Sequence, residues 1–264
     1  MKKVLIALLM VAVLLSLCAC TVASGSFMSK AQVNSLVKKY GEPKAELTLN
    51  YTTGGTNVEV KITYKLLLEQ APIAVTRFIQ IAQDEEAGYN ETRIDTYNTT
   101  YNYMIMGRYR QTDGKYYDMR AGNVNFAGEF ASNDYRKPKA GYAEFKMFSL
   151  AMYHEEGGEN FDTANGTLIL ALANKTLNSD NYTVFAEFES LTRRIGDAEP
   201  TQHSKVPNDI LANLKGFTQR ASKNVYEYGN ESAGFKSISI MQSEVKLTVK
   251  ILGDIDGSKL PTIR

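Results

Sequence analysis

The apolar positions change period several times along the chain, and each change marks an element. Lys2 and Lys3 precede an almost unbroken apolar run, Val4 to Leu17. At fourteen residues it is shorter than the roughly 20 that a bilayer-spanning helix needs, and a basic flank before a short apolar core is the pattern of a signal peptide. Thr21 to Phe27 is small and polar and reads as a short tether. Ser29 then caps an amphipathic stretch with Val33, Leu36 and Val37 on one face, ended by Gly41 and Pro43. Ala45 to Tyr51 and Val58 to Glu69 are rich in β-branched and aromatic residues. Between them Thr53-Gly54-Gly55-Thr56 supplies the positive φ of a hairpin turn. Pro72 opens a helix at a position that needs no N–H, and Val75, Phe78, Ile79 and Ala82 recur at helical spacing.

Beyond Gly88-Tyr89 the pattern is again that of strands. Thr99 to Met106 is the clearest run, followed by a Gly/Asn-rich loop from Gly114 to Gly128. Phe145 to Tyr153, Thr167 to Ala173 and Tyr182 to Phe188 are apolar segments of strand length. Pro207 to Phe217 predicts a second capping helix with Ile210, Leu211 and Leu214 inward, and Ser237 to Ile251 supplies closing strands. Many short strands with two or three helices predict a mainly β fold, a barrel or sandwich with helical caps. The predicted organisation is a signal peptide over 1–19, a tether and short helix over 20–43, and one domain over 44–264 with an insertion near 192–234.

Composition narrows the function classes. With 44% hydrophobic and 22% charged residues, the chain is an ordinary globular protein rather than a disordered or collagen-like one. The formal charge is +1, and removal of Lys2 and Lys3 with the signal leaves −1. Nucleic-acid binding needs a basic surplus that is absent here. Both cysteines, Cys18 and Cys20, lie near the N-terminus, so no internal disulfide or thiolate cluster is expected in the globular part. His154 and His203 are the two histidines, too few for a histidine-rich metal centre, and no metal or other cofactor is expected.

The end of the apolar run, Leu17-Cys18-Ala19-Cys20, resembles the bacterial lipobox, in which a small residue precedes the cysteine. Cys20 fits and Cys18, after bulky Leu17, does not. The resemblance implies a diacylglycerol on Cys20, with the extracytoplasmic face of a bacterial membrane as the location; two acyl chains are enough for stable anchoring.

Several fragments, in order, carry a second resemblance. They are Ala71-Pro72-Ile73-Ala74-Val75-Thr76-Arg77-Phe78, Gly88-Tyr89 and Tyr103-Met104-Ile105-Met106-Gly107. Leu150-Ala151-Met152, Thr167-Leu168-Ile169-Leu170, and Leu177 with Tyr182-Thr183-Val184-Phe185 follow. This series, over roughly residues 45 to 252, resembles the cyclophilin-type peptidyl-prolyl cis-trans isomerases. The resemblance implies an eight-stranded antiparallel barrel capped by two helices, with a groove for proline-containing polypeptide on its outer wall. It also implies rotation about an X-Pro amide, a barrier of about 18–20 kcal/mol, lowered by an apolar seat for the prolyl ring and a donated hydrogen bond that favours the twisted amide.

The family's donor is an arginine a fixed distance before the Phe-Met-Ile-Gln motif, and the same count back from Tyr103 reaches Asn98. By the same correspondence the groove is expected to contain Tyr103, Met104, Met106, Tyr153, His154, Ile169, Leu177 and Tyr182, although Met104 and Met106, with Ile105 between them, share one strand face, and a face that apolar is normally core. Met106 stands for a family Gln, Ile169 for the proline-pocket Phe, and Thr176 for a common Trp. The expectation is therefore a retained fold with weak or lost catalysis. Arg93, Arg108 and Arg110 are the substitutes to consider, and strand alternation puts Arg93 on the opposite side from Asn98. His154 is more simply a polar residue at a strand end. The carboxylates Glu155, Glu156, Glu159 and Asp162 lack the fixed alternation of a Ca²⁺ loop and read as a solvated loop. The alternative function is a non-catalytic binding or scaffolding module at the outer face of the membrane. A solute-binding clamp is disfavoured, since the chain lacks two alternating βαβ lobes.

Overall fold

The structure is a computed structural model, and it describes residues 21–22, 26–121, 123–154 and 161–263. The apolar leader, Cys20 and the carboxylates Glu155, Glu156 and Glu159 lie outside the described residues. In chain order the elements are β1 (Thr21–Val22), α1 (Lys30–Tyr40), β2 (Lys44–Thr53), β3 (Thr56–Leu66), α2 (Pro72–Ala82) and β4 (Thr92–Asn98). Next come β5 (Tyr103–Thr112), β6 (Lys115–Asp118), β7 (Leu150–Met152), β8 (Leu168–Ala171), β9 (Val184–Ile195) and β10 (Thr201–His203). The chain ends with α3 (Asn208–Gly216), β11 (Arg220–Glu227), β12 (Phe235–Met241), β13 (Lys246–Leu252) and β14 (Thr262–Ile263).

Eight strands close on themselves. The order β5-β4-β13-β2-β3-β9-β7-β8 returns to β5 through the β5–β8 pairing, and every neighbouring pair is antiparallel. The expected antiparallel cylinder is thus met as a ring of eight strands, which leaves no open edge within it. Alternation fills the interior: Leu47, Leu49, Val60, Ile62, Met104, Met106, Leu168 and Leu170 are all fully buried in one core cluster. α2 adds Val75, Phe78 and Ile79 to that core, and α3 adds Ile210 and Leu214, as their helical spacing predicts.

Helix entry is set chemically. Ser29 and Gln32 form a capping box on α1, with Ser29 Oγ accepting the Gln32 N–H at 3.3 Å and Gln32 Oε1 accepting that of Ser29 at 2.8 Å. On α2, where Ala71 provides no side-chain cap, the Glu129 carboxylate comes from a distant loop. Its two oxygens accept the N–H groups of Ile73 and Ala74, each at 2.9 Å. Burial pushes the Glu129 carboxyl up to about 8, while the two amides act to lower it.

Several boundaries differ from the expected ones. Thr99 to Asn102 is a turn, not the start of a strand, and β5 begins at Tyr103. The turn is sealed by Asn98 Oδ1, which accepts the Tyr101 N–H at 3.0 Å, and Asn102 takes a φ of 54°. The strand expected over 145–153 shrinks to Leu150–Met152, because Phe148 sits at a φ of 64°. A bulky side chain in the left-handed region costs about 1–3 kcal/mol; Phe148 is fully buried in the interior core and its N–H reaches the Ala171 carbonyl at 2.7 Å. Thr21–Val22, expected as tether, pairs in parallel with Thr262–Ile263.

Of the closing strands expected over 237–251, only β13 enters the ring. β12 pairs instead with β11 in an antiparallel hairpin, and β11 joins β6 in parallel, so that three strands extend the sheet outward from β5. Their sequences explain the position. β11 and β12 bury little beyond Val225, Ile240 and Met241 and cannot serve as two-faced walls of a core. Under this hairpin Val225 and Ile240 meet Tyr109 of β5 in a small cluster of their own.

Candidate functional site

The strands β7 and β8 are buried on both faces, which means that a second apolar layer covers the outside of the ring. That layer is built by the residues out of phase with the core. Tyr103 on β5, Ala151 on β7, Ile169 and Ala171 on β8 and Val184 on β9 form one outer cluster with Phe145. Ile105, Tyr153, Leu177 and Tyr182 pack against it while remaining partly accessible. The sheet register aligns the wall, with Ile105 opposite Ile169 and Ile169 opposite Ala151.

Five of the residues expected in the groove, Tyr103, Tyr153, Ile169, Leu177 and Tyr182, meet in this outer cluster. Met104 and Met106 do not. Both are fully buried in the interior core, and the expectation that they line the groove is corrected. They alternate with Tyr103 and Ile105, and a strand shows one set to each face. His154 stands at the margin. It is buried, stacks on Tyr182 with 4.6 Å between ring centroids, and donates from Nε2 to the Asn181 carbonyl at 2.8 Å. Its neighbours Phe130 and Phe161 complete an aromatic packet. Thr176, where a Trp is common in the family pattern, turns its hydroxyl to the Ala173 carbonyl at 2.8 Å.

Asn98 ends β4 directly beside Tyr103, its register partner. Its Nδ2 donates to the Tyr103 hydroxyl at 3.3 Å and its Oδ1 is taken by the Tyr101 amide. Both ends of this amide are therefore used within the turn. The three arginines named as substitutes from the sequence are likewise committed. Arg93 is buried under the added hairpin, where it donates to the Met241 and Ser243 carbonyls at 2.8 and 3.1 Å and lies over the Tyr116 ring. Arg108 grips one oxygen of Asp118 through Nε and Nη2, at 3.0 and 2.8 Å. Arg110 donates to the Glu86 and Gly88 carbonyls at 2.7 and 3.0 Å.

Between Arg93 and Arg108 lies a fully buried carboxyl, Asp95, at an irregularity of the β4–β5 ladder. Neither of its oxygens has a hydrogen-bond partner of good geometry, while the backbone amides of Arg108 and Tyr109 act to favour its charged form. Burial holds it well above the usual carboxylate range, against the opposing pull of the two arginines.

One residue of the outer cluster was not foreseen from the motifs. Phe145, from the stretch between Gly141 and Lys146 that has no regular structure, is 1% exposed and meets Tyr182 edge-on at 6.1 Å. Its backbone is held on both sides: its N–H donates to Ser179 Oγ at 3.1 Å, and its carbonyl accepts the Lys175 N–H at 2.8 Å. Next to it opens a cavity of about 820 Å³ between the stretches 141–145 and 175–180, with Tyr101 at its rim. Phe145 and Leu177 belong both to this cavity and to the outer cluster.

Comparison with known proteins bears on this arrangement. The model of the family described as "Cyclophilin type peptidyl-prolyl cis-trans isomerase/CLD" matches residues 49–209. No curated protein sequence matches the chain. Among solved structures, a cyclophilin type peptidyl-prolyl cis-trans isomerase of Cryptosporidium parvum is 10% identical, with 81% of this chain and 99% of that chain covered and a TM-score of 0.43. The Mimivirus cyclophilin is 13% identical, with coverages of 83% and 92% and a TM-score of 0.40. A structure of the Cryptosporidium protein in the presence of the dipeptide Ala-Pro is 10% identical, with coverages of 78% and 98% and a TM-score of 0.41. With the family model spanning well over half of its length, this chain belongs to the cyclophilin-type peptidyl-prolyl cis-trans isomerase family.

Proposed function

We propose that this protein is a lipid-anchored cyclophilin-family protein that binds proline-containing polypeptide on the outer wall around Tyr103, Ile169, Leu177 and Tyr182 and has lost most of its power to turn the prolyl bond. The observation that carries the reading is the pairing of Asn98 with Tyr103 while Arg93, Arg108 and Arg110 are each engaged elsewhere. A neutral amide is a weaker donor than a guanidinium, by roughly half for the hydrogen bond it makes. Loss of one aimed donor of this kind slows a reaction on the order of 10²- to 10³-fold. The apolar wall contributes binding without contributing to the rate, since what it holds equally in the planar and twisted amide leaves the barrier unchanged.

The test is a prolyl isomerisation assay on short Ala-Pro peptides with the purified full chain. Rate enhancement near the uncatalysed level with measurable peptide binding supports the reading. Rapid turnover, abolished by Arg93→Lys or Arg108→Lys, overturns the assignment of Asn98. The anchor is tested separately: Cys20→Ala should move the protein from the membrane fraction to the soluble one.

A second reading, a non-catalytic scaffold, draws on the added strands. Tyr228 and Phe235 are 38% and 55% exposed and continue a row of rings through Tyr117 and Tyr226. Exposed apolar clusters of this kind mark contact surfaces. Capture of a membrane protein partner that is lost with Phe235→Ser, while proline-peptide binding persists, would favour it.

A further inference from the structure

Tyr103 and Ile169 are 2% and 0% exposed, although the proposed function makes them the seat of a ligand's prolyl ring. Something already covers them, and the cluster names it. Phe145 is the fully buried side chain of that cluster that comes from outside the ring strands. We propose that Phe145 occupies the prolyl niche of the resting protein as an internal plug, and that ligand enters only when the stretch 141–146 swings away. The inference rests on the reading of the outer wall as a proline-binding site and states how access to it is controlled.

The stretch is built to be released. Between Gly141 and Lys146 it pairs with no strand. Beyond the Phe145 contacts to Ser179 and Lys175, it is held by single bonds rather than a ladder: the Met147 amide to Asn174 Oδ1 at 2.9 Å, the Lys146 amide to Ser149 Oγ at 3.2 Å, the Lys146 ammonium to Glu187 at 2.8 Å and the Tyr142 hydroxyl to the Tyr135 carbonyl at 2.5 Å. Phe148, three residues on, is fixed in the interior core with a strained backbone, and so marks where the movable part meets the rigid ring. The adjoining cavity of about 820 Å³, bounded by Phe145 itself and by Leu177, gives the displaced ring a place to go and an extended chain a place to lie.

A site open for only a fraction of the time binds with its intrinsic dissociation constant divided by that fraction. Removing the plug should therefore tighten binding without adding a contact. The experiment measures the affinity of the full chain for the peptide Ala-Ala-Pro-Phe and for Ala-Ala-Ala-Phe, by titration calorimetry, in the wild type, Phe145→Ala and Ser179→Ala. Ser179→Ala removes the acceptor of the Phe145 N–H and leaves the apolar layer intact, so it carries the test should Phe145→Ala not fold. The expected result is at least tenfold tighter binding of the proline peptide by Phe145→Ala and a several-fold gain by Ser179→Ala, with no gain for the alanine peptide. Equal proline-peptide affinities in wild type and variants overturn the plug and leave the binding function standing. Failure of every form to bind the proline peptide overturns the binding function itself, and the plug with it.

Discussion

Asn98 and Tyr103 face each other across the β4–β5 turn, with the Asn98 amide nitrogen 3.3 Å from the Tyr103 hydroxyl. Its oxygen holds the Tyr101 N–H at 3.0 Å, so the side chain shapes the turn and, being neutral, brings no cation of its own to the outer wall. Replacing it tests whether the position alone governs catalysis. Asn98→Arg is expected to raise prolyl isomerisation less than tenfold, because Phe145 still fills the niche. Asn98→Arg with Phe145→Ala is expected to exceed the product of the two single effects, by tenfold or more. Groups that share one site couple in this way. Product behaviour in the double variant would show that the two residues act independently.

Glu129 predicts a pH dependence of stability. Burial raises its carboxyl to about 8 in the folded protein, against about 4.3 in an unfolded chain. A raised folded value means that the folded state binds the proton more tightly. Its stabilising effect is complete below the unfolded value and is lost as pH rises through the folded one. Unfolding free energy from urea titrations should therefore fall between about pH 4.5 and pH 8, by an amount on the order of a few kcal/mol. Glu129→Gln removes this slope. It also loses one acceptor for the Ile73 and Ala74 amides, at about 1–3 kcal/mol, so the variant should trail the wild type most at pH 5 and least at pH 9. Parallel curves for the two proteins would assign the slope to other groups.

Arg93 pins the added hairpin to the ring through the Met241 and Ser243 carbonyls. Arg93→Ala leaves those carbonyls without their donor, a loss of about 1–3 kcal/mol for each group left unsatisfied. Hydrogen exchange should rise first in β12. Peptide affinity at the outer wall should stay within twofold of wild type, since Arg93 touches none of its residues. A drop in affinity larger than the loss of folded protein explains would return Arg93 to the binding site.

The ring was legible where local rules and burial agree. Pro72 with the Val75, Phe78, Ile79 spacing yields α2, and the strands around Thr53-Gly54-Gly55-Thr56 yield β2 and β3 at nearly the expected bounds. What was illegible depends on contacts far apart in sequence. Phe145 reads as one more apolar residue before Leu150, and only its meeting with Ser179 and Tyr182 separates it from that strand. β11 and β12 carry mixed polar patterns that a short core strand would not, and they form because β6 offers an edge. The Glu129 cap has no local signal at all, since it acts on amides more than fifty residues away.

Met104 and Tyr103 are neighbours in sequence that answer to different surroundings, and substitution should separate them. Met104 is fully buried in the interior core, so Met104→Ala should cost about 2–5 kcal/mol of stability. The surviving folded protein should bind proline peptide as the wild type does, because the methionine points away from the wall. Tyr103→Ala removes an outer-layer ring and the partner of Asn98, and should weaken peptide binding at least tenfold when measured in the Phe145→Ala background, where the niche is open. Stability by urea titration and affinity by calorimetry, on the same preparations, give both readings. If Met104→Ala weakened binding as much as Tyr103→Ala, the face of β5 that meets ligand would be the inner one, and the outer wall would lose its claim to the site.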